Sequence, residues 1–247
     1  MTYCVGMRLN AGLVAIADTR ITSGNETTTA KKIFLNVGED HALFLMTSGL
    51  RSVRDKALTY FKEVLHDEGH HFDKMYKAVN AFGAQLRKVS REDRESLEES
   101  GLAFNLHTIV GGQLREDAEP QLFLLYPEGN WIEIGPGTPF VIIGNSGYGK
   151  PILNRTIRYD TPISTALKAG FLSFDSTRVS ANDVGFPIDV VIYQRDSFQL
   201  VEKRYNEEDL KEVSSQWGAY LSEALDRIPG EWMEEVLIKA EECTKVL

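Results

Sequence analysis

The hydrophobic pattern of this chain changes period along its length, and the changes mark out its elements. Apolar runs and alternation predict strands over residues 2–9, 13–20, 33–37 and 42–47. Asn10-Ala11-Gly12 between the first two is a turn signal flanked by strand formers. Residues 51–66 and 72–96 then take helical spacing. In the second, Met75, Val79, Phe82, Leu86 and Val89 recur at steps of three and four, the apolar face of one helix. Strand patterning resumes over 106–114, 121–126, 131–134 and 140–143, with Pro120 and Pro127-Glu128-Gly129-Asn130 as punctuation. Helices are predicted at 148–159 and 162–174, and strands at 188–194 and 198–202. The polar stretch from Thr22 to Ala30 is read as a connection.

Strand group, helix pair, strand group, helix pair, strand pair is an α+β order. It predicts two sheets stacked between helical layers. No internal repeat or low-complexity linker interrupts it, so a single domain over 1–247 is expected, with its core at 2–204. Residues 205–247 follow as a helical extension. There Leu210, Val213, Trp217, Tyr220, Leu221, Ala224, Leu225 and Ile228 form an apolar stripe. Pro229-Gly230 breaks it, and Trp232, Met233, Val236, Leu237 and Ala240 form another. Stripes of this kind usually face a core. After a complete sandwich they are expected to divide between the subunit's own surface and a neighbouring subunit.

Composition narrows the function classes. Apolar residues at 43% and charged residues at 26% are ordinary for a globular chain of 247 residues. The net charge of −9, with no basic stripe, argues against nucleic-acid binding. Cys4 and Cys243 lie at opposite ends, which gives no disulfide framework and fits a reducing compartment. No run approaches the ~18–20 apolar residues of a membrane span. Arg8 and Asn10 interrupt the apolar start, so no secretory signal is expected, and a cytoplasmic location is.

The chemistry that stands out is at the second residue. Removal of Met1 makes Thr2 the amino terminus, with a hydroxyl and an α-amine on one residue. The hydroxyl alone is a weak nucleophile, and an adjacent amine of pKa roughly 7.7–8 can take its proton. Most chains with threonine at this place simply begin there, so the residues downstream decide. Asp18-Thr19-Arg20 closes the second predicted strand, and a tight hairpin carries Asp18 back beside Thr2. Lys32 opens the next strand. A lysine there usually snorkels to solvent. Paired with Asp18 beside a hydroxyl, it instead lowers the nucleophile's pKa. Thr47-Ser48-Gly49 runs from a strand into a helix start, where a glycine amide can hold an oxyanion.

Thr2, Asp18-Thr19-Arg20, Lys32-Ile33 and Ser48-Gly49, in that order and spacing, resemble the proteasome β-subunit pattern of the N-terminal nucleophile hydrolases. The opening from Thr2 to Val14 is most similar to the bacterial branch called Anbu, the ancestral β-subunit. Gly144-Asn145-Ser146-Gly147-Tyr148-Gly149 resembles the family's Gly-Ser-Gly turn before a helix. The segment from Ala166 to Asp175 resembles a family helix that ends in an acid. The resemblance covers residues 2–204 and implies a four-layer αββα sandwich. It implies Thr2 as nucleophile with its own amine as base, Lys32 tuning it, Asp18 orienting Lys32, and the Gly49 amide as oxyanion hole. Ser146 and Asp175 would surround the terminal amine, with Asn145 leaving the register at Ser146 open by one. The family's further serine is matched by Ser176 or Ser180. Candidate pocket residues are Arg20, Ile21, Thr22 and the Leu50 region.

The resemblance further implies a homo-oligomer, a ring or an open helical ring, acting on peptides or unfolded chains without a cofactor. A small-molecule amidohydrolase with the same machinery and a catalytically silent scaffold are the competing readings. Thr2, Asp18 and Lys32 together weigh against the scaffold, which needs none of them. Two other constellations carry less. His66 and His70 have the spacing of a helical zinc pair, but Asp67 replaces the required glutamate and Gly69 disfavours a helix between them. Gly144 to Lys150 is glycine-rich but lacks the phosphate-loop spacing. The acidic run from Glu92 to Glu99 is read as a solvated helix end.

Overall fold

A computed structural model describes residues 2–23, 26–67 and 72–244. The described chain forms two compact units, one up to Glu207 and one from Glu208. In the first, β1 (Tyr3–Leu9) and β2 (Gly12–Asp18) form the hairpin that Asn10-Ala11-Gly12 predicts, pairing Cys4 with Ala17 and Leu9 with Gly12. Next come β3 (Arg20–Ser23), β4 (Glu26–Thr29), β5 (Ile33–Val37) and β6 (His41–Gly49). Helices α1 (Arg51–His66) and α2 (Met75–Glu99) precede β7 (Leu106–Leu114), β8 (Gln121–Leu125), β9 (Trp131–Glu133) and β10 (Phe140–Gly144). Helices α3 (Lys150–Thr156) and α4 (Ile163–Ser180) precede β11 (Ile188–Gln194) and β12 (Leu200–Tyr205).

The strands form two five-stranded antiparallel sheets, β10-β1-β2-β11-β12 and β5-β6-β7-β8-β9, and a small β3-β4 ribbon. The period-two rule assigns each face of β1 a different core. Tyr3 and Met7 point to α4: the Tyr3 ring meets Phe174 edge-on, and Met7 and Ile16 close over Gly170. Cys4 and Gly6 point to the other sheet, where Cys4 joins Ala15, Phe44, Met46, Ile109 and Leu122 in one buried cluster. Gly6 and Gly111 let the sheets approach. A Cβ on Gly6 would sit 3.0 Å from Ile109, and one on Gly111 2.4 Å from the Phe44 ring. The outer face of the second sheet packs Leu43, Leu45, Val110 and Phe123 against Val53, Phe61, Val79, Phe82 and Leu86 of α1 and α2.

Two expectations need correction. The β3-β4 ribbon, starting at Arg20, runs through the polar stretch from Thr22 to Ala30, and its β4 residues are all exposed and so show no apolar alternation. Its β-branched threonines are the only sequence signal. Helix α4 does not end at Asp175 but continues to Ser180. Ser176-Thr177-Arg178-Val179 reads as poor helix, yet the Thr177 hydroxyl bonds the Ser173 carbonyl and Arg178 bonds Asp175 one turn back. The acidic run is the largely exposed end of α2, as expected, and Glu92 and Asp93 there both pair with Lys56 of α1. His70, of the discounted zinc pair, lies outside the described residues.

The second unit begins at the second residue of α5 (Glu207–Asp226) and also holds a 3₁₀ turn (Glu231–Met233) and α6 (Glu234–Thr244). Helix α5 buries none of its residues; Tyr220, Leu225, Trp232 and Val236 are all exposed. Among the described residues no helix is long and apolar enough to cross a membrane.

Phe44 is fully buried between the two sheets and packs directly on Gly111. Phe44→Ala is expected to lower stability by about 3–5 kcal/mol through the cavity it leaves. Urea denaturation checks this, and a change under 1 kcal/mol would mean that the intersheet core collapses freely.

Candidate active site

The ends of both sheets meet at a cleft. Thr2, only 8% exposed, stands at the start of β1, on the intersheet side with Cys4. Its carbonyl accepts the Asn145 N–H at 2.7 Å from the end of β10. Gly144 makes this approach possible. It has φ +86°, and a Cβ there would lie 1.9 Å from the Thr2 carbonyl oxygen.

Behind Thr2 is a buried ion pair. Asp18 closes β2, where the hairpin register brings it back to the start of β1, and is 0% exposed. Its Oδ1 accepts the Tyr3 N–H at 2.9 Å and the Lys32 ammonium at 2.6 Å. Lys32 also donates to the Arg20 carbonyl at 2.8 Å, so its charge is fixed by two acceptors beside Thr2. Burial pushes the Asp18 carboxyl up from its ordinary range, while the Lys32 charge and the Tyr3 amide favour the ionised form.

Facing Thr2 across the cleft is the end of β6. The Thr47 N–H bonds the Lys32 carbonyl on the β5 side at 3.3 Å. Amides alternate sides along a strand, so Gly49 N–H points to that same side, past Ile33 where β5 begins. The position demands glycine: φ is +141°, and a Cβ would lie 2.1 Å from the Asn105 carbonyl oxygen. The cleft encloses about 570 Å³ and is lined by Thr2, Lys32 and Gly49 together with Arg20, Ile21, Thr22 and Leu50. Thr47 and Ser48 line it too, as do Arg51, Arg54, Asn105 and Thr28, which escaped the sequence reading because each belongs to a segment with no motif of its own.

Ser146 and Asp175 do not line this cleft. Ser146 lies just past Asn145 and is half-buried, and its carbonyl accepts the Lys150 N–H as α3 begins. Asp175 is 4% exposed within α4 and accepts Arg178 Nε at 2.7 Å. Ser176 is half-buried and Ser180 exposed, which does not choose between them. Ser173 was not anticipated: it is fully buried and accepts the Tyr3 hydroxyl at 2.6 Å, tying α4 to the residue after Thr2.

Several solved structures share this arrangement of elements. An Anbu from Hyphomicrobium sp. strain MC1 is 36% identical, with a TM-score of 0.84 over 92% of this chain and 98% of that one. Anbu (ancestral β-subunit) from Yersinia bercovieri is 32% identical, with a TM-score of 0.85 over 92% and 98%. The chain belongs to the Anbu family. The helical assembly of the Anbu complex from Pseudomonas aeruginosa supplies a third relative, 32% identical with a TM-score of 0.86 over 92% and 97%. No protein-family model matches the chain, and no curated protein does. Membership of Anbu makes this a relative of the proteasome β-subunit, as the opening residues suggested.

The buried pair yields a stability prediction. Lys32→Met leaves the Asp18 carboxylate buried without its counter-ion, at an expected cost of about 3–5 kcal/mol at neutral pH. The double variant Asp18→Asn/Lys32→Met should recover most of that loss. In Lys32→Met the folded pKa of Asp18 stands further above its unfolded value. The native state then holds a proton that the unfolded chain releases, so the variant loses stability as pH rises through that window. Urea midpoints between pH 4 and 8 test this, and a loss independent of pH would rule out a stranded carboxylate.

Proposed function

We propose that this chain is an N-terminal threonine hydrolase that cleaves amide bonds in peptides. The observation that carries the reading is the convergence of Thr2, the Lys32–Asp18 pair and the Gly49 amide on one cleft. Once Met1 is removed, Thr2 Oγ attacks the carbonyl carbon and its proton passes to the Thr2 α-amine. The fixed Lys32 charge favours the alkoxide, and the Gly49 N–H meets the oxyanion. Collapse of the tetrahedral intermediate expels the amine product, which takes the proton from the ammonium, and leaves an ester on Oγ. Water, deprotonated by the same amine, hydrolyses that ester. Ser146 and Asp175 orient the terminal amine in this reading, through their places past the end of β10 and in α4.

The two sheets sharing one core, with α1 and α2 outside one and α4 against the other, support the four-layer αββα sandwich of N-terminal nucleophile hydrolases. The helical assembly of the Pseudomonas aeruginosa relative supports self-association. So do the exposed apolar residues of the second unit.

Intact-mass spectrometry of the purified chain tests the reading directly. The expected result is loss of the Met1 mass and a single adduct with an epoxyketone, absent from Thr2→Ala. Peptide turnover in Thr2→Ala should fall by at least about 10³-fold while the circular-dichroism spectrum and oligomer size stay unchanged. Absence of adduct on a chain that has lost Met1 would refute the threonine mechanism.

A further inference from the structure

The charge lining the cleft is opposite to that of the molecule. The chain carries a net −9, yet the charged residues that line the cleft are Arg20, Lys32, Arg51 and Arg54, with no carboxylate among them. Two of these charges are already balanced. Lys32 is matched by Asp18, and Arg54 by Asp55, whose Oδ1 lies 2.7 Å from Arg54 Nη2. Arg54 also donates to the Lys31 carbonyl, which fixes it against the segment that carries Lys32 into β5.

Arg20 and Arg51 are not balanced in this way. Arg20 Nη1 bonds a neutral acceptor, the Asn182 carbonyl, at 2.8 Å, and its guanidinium packs over Gly185. Arg51 is 63% exposed and, among the described residues, reaches only the Asp55 that Arg54 already holds, at 3.4 Å. It stands in the first turn of α1, which contains no acidic residue and follows Gly49 by two positions. The amino end of that helix adds its own partial positive charge. Arg20, from β3, and Arg51, from α1, thus line the same cleft as Thr2.

We propose that this cleft selects peptides carrying an acidic residue next to the attacked bond, with Arg20 and Arg51 as the specificity-determining side chains. The proposal rests on the reading of the cleft as a hydrolase site, but its recognition step does not require turnover. A glutamate side chain would take a charge-assisted hydrogen bond from Arg51 and meet a guanidinium at Arg20 held in place by its own carbonyl contact. A basic side chain in the same position would meet two like charges. A cleft with several fixed cations also concentrates anionic chains near a protein that otherwise repels them.

The test uses the full chain carrying Thr2→Ala and a fluorescein-labelled apolar hexapeptide with one central glutamate, against its glutamine isostere. Fluorescence anisotropy at low salt should show the glutamate peptide binding roughly 10-fold more tightly, the low end expected for a hydrogen bond to a charged group. The preference should shrink at 0.5 M salt, where exposed charges are screened. Arg51→Gln should remove most of it, and Arg51→Glu should reverse it. Arg51 is exposed, so neither change threatens the fold. Equal affinity for the two peptides, binding of neither, or a preference unmoved in Arg51→Glu would each overturn the proposal. A retained preference in a chain whose processed Thr2 takes no epoxyketone would leave this proposal standing and refute the hydrolase mechanism instead.

Discussion

A carboxylate with no access to water must find a cation, and at Asp18 that cation is Lys32. The demand is strict because the low dielectric that makes their attraction strong also makes either charge costly alone. It joins three segments. Asp18 closes the first hairpin, Lys32 opens the second sheet, and the Tyr3 amide on the same carboxylate oxygen fixes the start of the chain. Lys32 then donates to the Arg20 carbonyl and its own carbonyl takes the Thr47 amide, so the pair sets the spacing between the two walls of the cleft. The same geometry keeps a positive charge beside a hydroxyl without exposing it to screening.

Around this pair the sandwich is built from a division of labour between faces. Strand β1 is buried on both sides, so its seven residues do not alternate between wet and dry. They alternate between two different apolar partners, α4 and the opposite sheet. Gly6 and Gly111 thin the interface where the sheets come closest, and Phe44 fills what remains. At the end of β1 away from Thr2 the interface becomes polar. Arg8, 4% exposed, bonds Glu119, Glu133 and the Ile134 carbonyl, and Tyr159 and Arg195 share the Glu119 carboxylate. The core is therefore closed by a charged network at the end opposite the candidate site.

Much of this was legible in the sequence because it depends on local pattern. The first hairpin follows from Asn10-Ala11-Gly12 between apolar runs, and helix α2 from the spacing of Met75 to Val89. The hairpin register carries Asp18 back to Thr2, whereas Lys32 and Gly49 join them only through the family resemblance. Features that depend on distant neighbours were not legible. Arg8 read only as a break in an apolar run, because its partners lie more than a hundred residues away. Helix α4 passes Asp175 because tertiary burial of Ser173, Phe174 and Thr177 overrides weak local propensity. Arg51 and Arg54 read as an ordinary helix start, and only the fold brings that start to the rim of the cleft.

The strand that carries Thr2 is not at the edge of its sheet. It lies between β2, its immediate successor, and β10, which ends at Gly144. On a ribosome the pieces around Thr2 therefore arrive at very different times. Asp18, Lys32 and Gly49 are made early, but the Gly144–Asn145 segment that fixes the Thr2 carbonyl follows almost a hundred residues later. Strand β11, which pairs with β2 and covers Asp18, is later still. A nascent chain thus carries Thr2 long before it holds that residue in place, and the cleft matures only when synthesis is largely complete.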